Sequence, residues 1–132
     1  RWSEVEGLHD VHKEEGIGSI AFSPLAQGVL TNRYIDGVPE DSRARKTTSK
    51  FLYEDDLTKE KINKVMRLNE VAKERNQTLA QMALSWVLRK DKVTTVLIGV
   101  SKSEQILNNK EIVHNLEFTD EELEMIEKIL KK

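Results

Sequence analysis

The chain has 132 residues, room for one domain at the usual scale of about 100–150 residues, which excludes a two-domain enzyme within it. Lysine and arginine number 21 against 23 aspartates and glutamates, and a formal net charge of -2 implies no nucleic acid partner. The absence of cysteine excludes disulfides and thiolate metal sites and points to a reducing, cytoplasmic setting, and no apolar run approaches the roughly 18 residues of a membrane span.

The chain opens Arg1-Trp2-Ser3 and has its first methionine at Met66, so a piece of something longer is expected. Ser3 and Glu6 have capping-box spacing, Leu8, Val11 and His12 fall three and four apart, and Gly16 sits where a left-handed cap stops a helix; together they predict a helix over 4–14. Residues 17–22 are small or apolar and stop at Ser23-Pro24, where proline removes a ladder donor, which predicts a buried strand. From Gly28 to about Thr58 periodicity is lost among Gly37, Pro39, Asp41, Ser42, Arg43, Arg45 and Lys46. Loops beyond about 12–15 residues are usually functional or disordered, so the 29–58 segment is a candidate functional loop.

Ile62, Val65, Met66, Val71 and Ala72 form the apolar stripe of a helix that runs to about Arg75. Thr78 and Gln81 repeat the capping-box spacing ahead of a helix over 79–90. Residues 93–98, rich in β-branched side chains and ending at Gly99, predict a second buried strand. Ser101 and Glu104 cap a short helix through Asn109, and Thr119 and Glu122 cap a last helix with Leu123, Ile126, Ile129 and Leu130 as its stripe.

Leu, Ile, Val and Phe make up 37 of the 132 residues, above the roughly one-fifth below which chains stay disordered, so this α/β chain is expected to bury a core. Yet two strands that are apolar on both faces make only a ribbon with two unpaired outer edges. Either the chain pairs with copies of itself, as a homo-oligomer, or further strands lie upstream of Arg1.

Two segments follow strand ends, where ligands collect in parallel α/β architectures. Ser23-Pro24-Leu25-Ala26-Gln27-Gly28 offers a hydroxyl, backbone N–H groups and a glycine to a phosphate, or is an ordinary strand-terminating turn. Gly99-Val100-Ser101-Lys102-Ser103-Glu104-Gln105 opens a helix whose N-terminus stabilises an anion, with Lys102 as an added cation, or holds no more than an N-cap. Arg33, Arg43, Arg45, Lys46 and Lys50 fit a phosphate clamp or a solvated loop. His9, His12 and His114 have no spacing that completes a metal site, Tyr34 and Tyr53 have no Lys or His partner for acid-base work, and Trp86 falls on an apolar helix face as a core residue.

The runs Ile20-Ala21-Phe22-Ser23-Pro24-Leu25-Ala26-Gln27-Gly28, Gly37-Val38-Pro39 with Ser42-Arg43, Leu79-Ala80-Gln81-Met82-Ala83-Leu84-Ser85-Trp86, and Val96-Leu97-Ile98-Gly99-Val100-Ser101 through Gln105 and Asn109 are similar, in unbroken order, to the aldo/keto reductase superfamily. Within it the chain resembles the bacterial glyceraldehyde-phosphate reductase-like group and the related potassium channel β subunits. The resemblance implies a (β/α)8 TIM barrel that transfers a hydride from NADPH to an aldehyde or ketone, usually without metal.

Arg1-Trp2 resembles the family's segment at the end of strand six, so residues 1–132 would be a single partial domain, the C-terminal portion holding about strands seven and eight with their helices. The family's catalytic Asp, Tyr, Lys and His would lie on earlier strands, leaving no catalytic residue here. The chain alone is therefore expected to be inactive. By resemblance Phe22 stacks on the nicotinamide; Ser23, Pro24, Leu25, Gly28 and Arg33 meet the pyrophosphate; Arg43 and the 29–58 loop fold over the cofactor. Gly99, Ser101, Gln105 and Asn109, with Lys102 as an extra contact, surround the adenosine and its 2'-phosphate, and Asn108 stands where close relatives have Glu against the adenine. The cofactor implied is NADP(H) and the substrate a small-molecule carbonyl. A cofactor-sensing regulatory subunit and an inactive truncated remnant are the alternatives.

Overall fold

The computed structural model describes residues 4, 6–34, 57–89 and 92–131. In chain order they form α1 (Leu8–Glu14), β1 (Ile20–Phe22), α2 (Lys59–Glu74), α3 (Leu79–Leu88), β2 (Thr95–Leu97), α4 (Ser103–Lys110) and α5 (Asp120–Lys131), with 3-10 turns at Ala26–Gly28, Asn32–Tyr34 and Glu111–His114. The alternation expected from the sequence is present, with local differences. The helix expected over 4–14 is interrupted: Glu4 is helical, Gly7 takes a left-handed φ of 78°, and α1 begins immediately after it at Leu8. Ser3 of the expected capping box lies outside the described residues. Its end is as expected: with Gly16 at φ 67°, the Ile17 N–H donates to the His12 carbonyl at 2.8 Å and the Gly16 N–H to Lys13 at 3.4 Å. Asn76 (φ 55°) ends α2 in the same manner.

β1 and β2 pair in parallel, with Ile20 opposite Thr95, Ala21 opposite Val96 and Phe22 opposite Leu97. Each is three residues long rather than six. The Thr94 hydroxyl accepts the Ser19 N–H at 2.9 Å, and the Ser19 carbonyl accepts the N–H groups of both Thr94 and Thr95 at 3.1 Å. A side chain thus replaces a ladder partner at the strand start. Gly18 permits this approach, since a Cβ there would stand 3.3 Å from the Thr94 hydroxyl. The expected burial of both strands is also corrected: Ile20, Phe22 and Leu97 are 65%, 80% and 60% exposed. Side chains alternate along a strand. Ala21 and Val96 are half-buried on one face, where α3 lies against β2. The other face has no cover among the described residues.

The core lies instead between helices. Val65, Leu68, Val71 and Ala72 of α2 meet Leu79 and Met82 of α3 and Ile126 and Ile129 of α5, and Val29 and Tyr34 close the cluster. Leu68 takes the place expected of Met66, which is exposed, as is Leu130 at the end of α5. Tyr34, expected as a loop residue, is fully buried. Trp86 is partly buried, with the Arg89 guanidinium 3.7 Å from its ring centroid. Among the described residues no helix is long and apolar enough to cross a membrane.

Arg75 ties α5 to this core. Its Nε donates to the Gln77 Oε1 at 2.9 Å, its Nη2 to the Glu117 carbonyl at 2.9 Å, and its guanidinium lies 3.7 Å from the Phe118 ring centroid. Its Nη1 pairs with Glu122. That carboxylate also completes the capping box of α5, accepting the Thr119 N–H at 2.8 Å while the Thr119 hydroxyl accepts the Glu122 N–H at 3.2 Å. Glu121 beside it accepts from its own backbone N–H and from the Thr119 hydroxyl, which holds its carboxyl below the usual range.

Candidate functional site

Because β1 and β2 run parallel, the segments that follow Phe22 and Leu97 leave the sheet at the same edge. They are the two strand-end segments singled out in the sequence, and they line one open cleft of about 980 Å³. Ser23, Pro24, Leu25 and Gly28 contribute from the first, Arg33 from the turn after it, and Gly99, Ser101, Lys102, Gln105, Asn108 and Asn109 from the second and from α4. Phe22 stands at the end of β1, exposed, and is not part of the lining. Arg43 lies outside the described residues. Gln27 and Val100 of the two segments line it as well, and Thr31, Tyr34, Thr78, Ala80, Leu97 and Ile98 do so without having been singled out for it. For Thr78 the sequence signal, a capping box, is local and marks a helix start, not the cleft that the helix start faces.

The first wall is a tight turn in left-handed backbone. Ser23 (φ 52°), Ala26 (φ 47°), Gln27 (φ 59°) and Gly28 (φ 96°) all fall in that region, at a cost of about 1–3 kcal/mol for each of the non-glycine residues. No residue type announces this at the first three positions. The turn is held by the Ala26 N–H on the Ser23 carbonyl at 3.0 Å and by the N–H groups of Gly28 and Leu30 on the Leu25 carbonyl at 2.9 and 3.2 Å. The Gln27 Nε2 also donates to the Ser23 hydroxyl at 3.2 Å.

The backbone is what requires glycine at position 28, since a Cβ there would meet the Tyr34 ring at an ordinary 3.8 Å. Gly28→Ala is expected to destabilise the protein by about 1–2 kcal/mol. At Gly99 a Cβ would meet no described atom within 4 Å, and Gly99→Ala is expected to stay within about 0.5 kcal/mol of wild type. Urea unfolding of the two variants checks the contrast.

In the second wall the expected role of Ser101 as a helix cap is corrected. Lys102 occupies the N-cap position of α4, and the Gln105 Oε1 reaches back to accept the N–H groups of Ser101 and Lys102 at 2.9 and 3.2 Å and the Ser101 hydroxyl at 3.4 Å. A serine oxygen is too short to do this from position 101, whereas a glutamine in the first turn spans the gap. The side chains of Ser101 and Lys102 are exposed at the cleft. The capping box read at Thr78 and Gln81 is present, with N–H to oxygen distances of 2.8 and 3.2 Å.

The arrangement offers hydroxyls, carboxamides and the cations of Arg33 and Lys102 along a cleft at the upper end of the usual range of about 300–1,000 Å³ for ligand sites. Its chemistry suits an extended anionic ligand. Among the described residues no three His, Cys, Asp or Glu are grouped to hold a metal ion. His9 and His12 meet edge to face on α1, with ring centroids 6.3 Å apart.

Residues 1–131 match the sequence pattern of the Aldo/keto reductase family. The chain is 46% identical over 129 residues to L-glyceraldehyde 3-phosphate reductase of two Escherichia coli strains, covering 96% of this chain and 37% of the relative. It is 35% identical over 118 residues to a Schizosaccharomyces pombe protein described as a candidate voltage-gated potassium channel β subunit, covering 87% of this chain and 34% of the relative. The structure of an aldo-keto reductase from Bacillus halodurans in its holo form superposes with a TM-score of 0.63 at 25% identity, over 94% of this chain and 37% of that one. The chain thus spans little more than a third of the length of these relatives. With a pattern matched from end to end and relatives that agree with it, the chain belongs to the aldo/keto reductase family.

Proposed function

We propose that the chain is the NADP(H)-binding portion of a cytoplasmic oxidoreductase that reduces aldehydes or ketones by hydride transfer. Residues 1–132 would form the C-terminal part of a TIM barrel, about strands seven and eight with their helices, with the 29–58 segment closing over the cofactor. The observation that carries this reading is the convergence of two strand-end loops and the cations of Arg33 and Lys102 on one cleft at the carboxyl edge of parallel strands.

The residues fit a dinucleotide. Ser23, Pro24, Leu25, Gly28 and Arg33 would meet the pyrophosphate, with Phe22 at the nicotinamide and Arg43 contributed by the loop. Gly99, whose open Cβ direction leaves room for a ligand to approach the backbone, would lie with Ser101, Lys102, Gln105, Asn108 and Asn109 around the adenosine and its 2'-phosphate. The bound cofactor supplies the hydride. This chain's own residues bind and orient it; Lys102 lines the cleft whereas Glu104, the acidic residue of the first turn of α4, does not, which favours a 2'-phosphate over a free ribose hydroxyl. The substrate would be a small-molecule carbonyl; for the E. coli relatives the name specifies a phosphorylated aldehyde. The likeness to the S. pombe channel-subunit protein favours a second reading, in which the same cleft senses cofactor state and turnover is secondary.

Reduction also needs a proton donor for the developing alkoxide, and the only tyrosine among the described residues, Tyr34, touches the cleft but is 1% exposed and packed into the helical core. The 132-residue chain by itself is therefore expected to consume no NADPH above background with methylglyoxal, followed by absorbance. Turnover that survives repurification would overturn the assignment of catalytic groups to segments outside this chain.

A further inference from the structure

We infer that Gln81 is a positioning residue for the cleft, its single carboxamide tying the start of α3 to the end of α4; this rests on the cofactor reading proposed above. The Gln81 Oε1 accepts the Thr78 N–H at 2.8 Å, and its Nε2 donates to the Asn108 carbonyl at 2.6 Å. Thr78 and Ala80 line the cleft on the α3 side and Asn108 and Asn109 on the α4 side, whereas Gln81 itself does not line it. It faces a separate cavity of about 360 Å³ that it shares with Arg75 and Asn115. Gln81 is thus a strut behind the wall, acting on the ligand only through the groups that it holds.

The need for such a strut follows from how little else anchors α4. The helix has eight residues and one buried side chain, Asn109, and its apolar Ile106 and Leu107 are exposed. Apolar packing, which normally fixes a helix in place, is nearly absent here among the described residues. Helix ends leave backbone groups short of partners; Gln81 takes the Thr78 N–H at the start of α3 and adds a second donor to the Asn108 carbonyl, which also accepts the Glu111 N–H at the end of α4. At the other end of α4, Gln105 binds the Ser101 and Lys102 N–H groups. Gln105 thus holds the entering segment onto α4, and Gln81 holds α4 against the start of α3.

The two halves of the carboxamide can be separated by substitution. Gln81→Glu keeps the acceptor, and glutamate is a usual partner in a capping box, but at pH 8 it has no proton to donate to the Asn108 carbonyl. Gln81→Met is uncharged and of similar length and loses both bonds. In the protein that carries this sequence, Gln81→Glu should melt within about 2 °C of wild type yet bind NADPH about five-fold more weakly, the effect of one ordinary hydrogen bond. Gln81→Met should show the same loss of affinity with a lower melting temperature. A loss in Gln81→Glu alone would be an effect of the added charge and would overturn the inference, as would unchanged affinity in both variants. If wild type itself shows no saturable NADPH binding, the cofactor reading falls and the inference with it.

Discussion

Replacing Arg75 by methionine is expected to lower the stability of the protein by about 2–4 kcal/mol, below the roughly 3–5 kcal/mol for breaking a fully buried ion pair from one side, because the Glu122 carboxylate left behind is 27% exposed. Methionine fills much of the space of the arginine stem. It removes the Arg75 donor from the Glu117 carbonyl and the Gln77 Oε1, and leaves the Glu122 carboxylate with only the Thr119 N–H among its described partners. The surface pairs offer a scale for comparison: Lys73 with Glu70 and Lys128 with Glu124 are exposed on both sides, and such pairs contribute about 0–1 kcal/mol. Glu122→Gln should cost less than Arg75→Met, because glutamine preserves the capping box with Thr119 and removes only the charge. Urea unfolding of both variants checks the order. An Arg75→Met variant within about 1 kcal/mol of wild type would mean that α5 is held by Ile126 and Ile129 alone.

The second large effect is on cofactor choice. Lys102→Glu is expected to weaken NADPH binding by about one to two orders of magnitude and to change NADH binding much less. NADPH differs from NADH by one 2'-phosphate, and a charge-assisted hydrogen bond to it contributes roughly 1.5–3 kcal/mol. Lys102 is suited to this contact because its backbone N–H is fixed by the Gln105 Oε1 while its side chain stays exposed at the cleft. Dissociation constants of both cofactors, measured by fluorescence quenching on wild type and variant, decide the matter. An equal loss for NADPH and NADH would make Lys102 a general surface charge and move the preference elsewhere in the cleft.

Local chemistry was legible in the sequence where one residue type suffices to produce it. Gly16 marks a left-handed helix end, and Thr78 with Gln81 and Thr119 with Glu122 form the capping boxes that their spacing announces. What escaped was the second task of the same residues. Nothing near Glu122 in the chain indicates that its carboxylate also meets Arg75, 47 positions away, and nothing near Gln81 indicates Asn108, 27 positions away. Strand length was misjudged because the Thr94 hydroxyl stands in for a backbone partner, a substitution invisible to hydrophobic pattern. Strand burial was misjudged because apolar residues on both faces describe what a strand is suited to, not what covers it among the described residues.

The candidate site was legible for a topological reason. Two apolar strands in parallel place their following loops at one edge, so Ser23 to Gly28 and Gly99 to Gln105 had to meet. The left-handed run at Ser23, Ala26 and Gln27 was not legible, since none of these is a residue that usually adopts it. The proposal of NADP(H) as the ligand rests on the family resemblance, not on spacing or composition.

A crystal structure of the protein that carries this sequence, grown with NADP+, decides the proposed function. The proposed function predicts the dinucleotide laid along the cleft, its pyrophosphate against Ser23 to Gly28 and its 2'-phosphate within hydrogen-bonding distance of Ser101 and Lys102. A dinucleotide bound elsewhere, or a cleft that stays empty while the cofactor is saturating in solution, would contradict it.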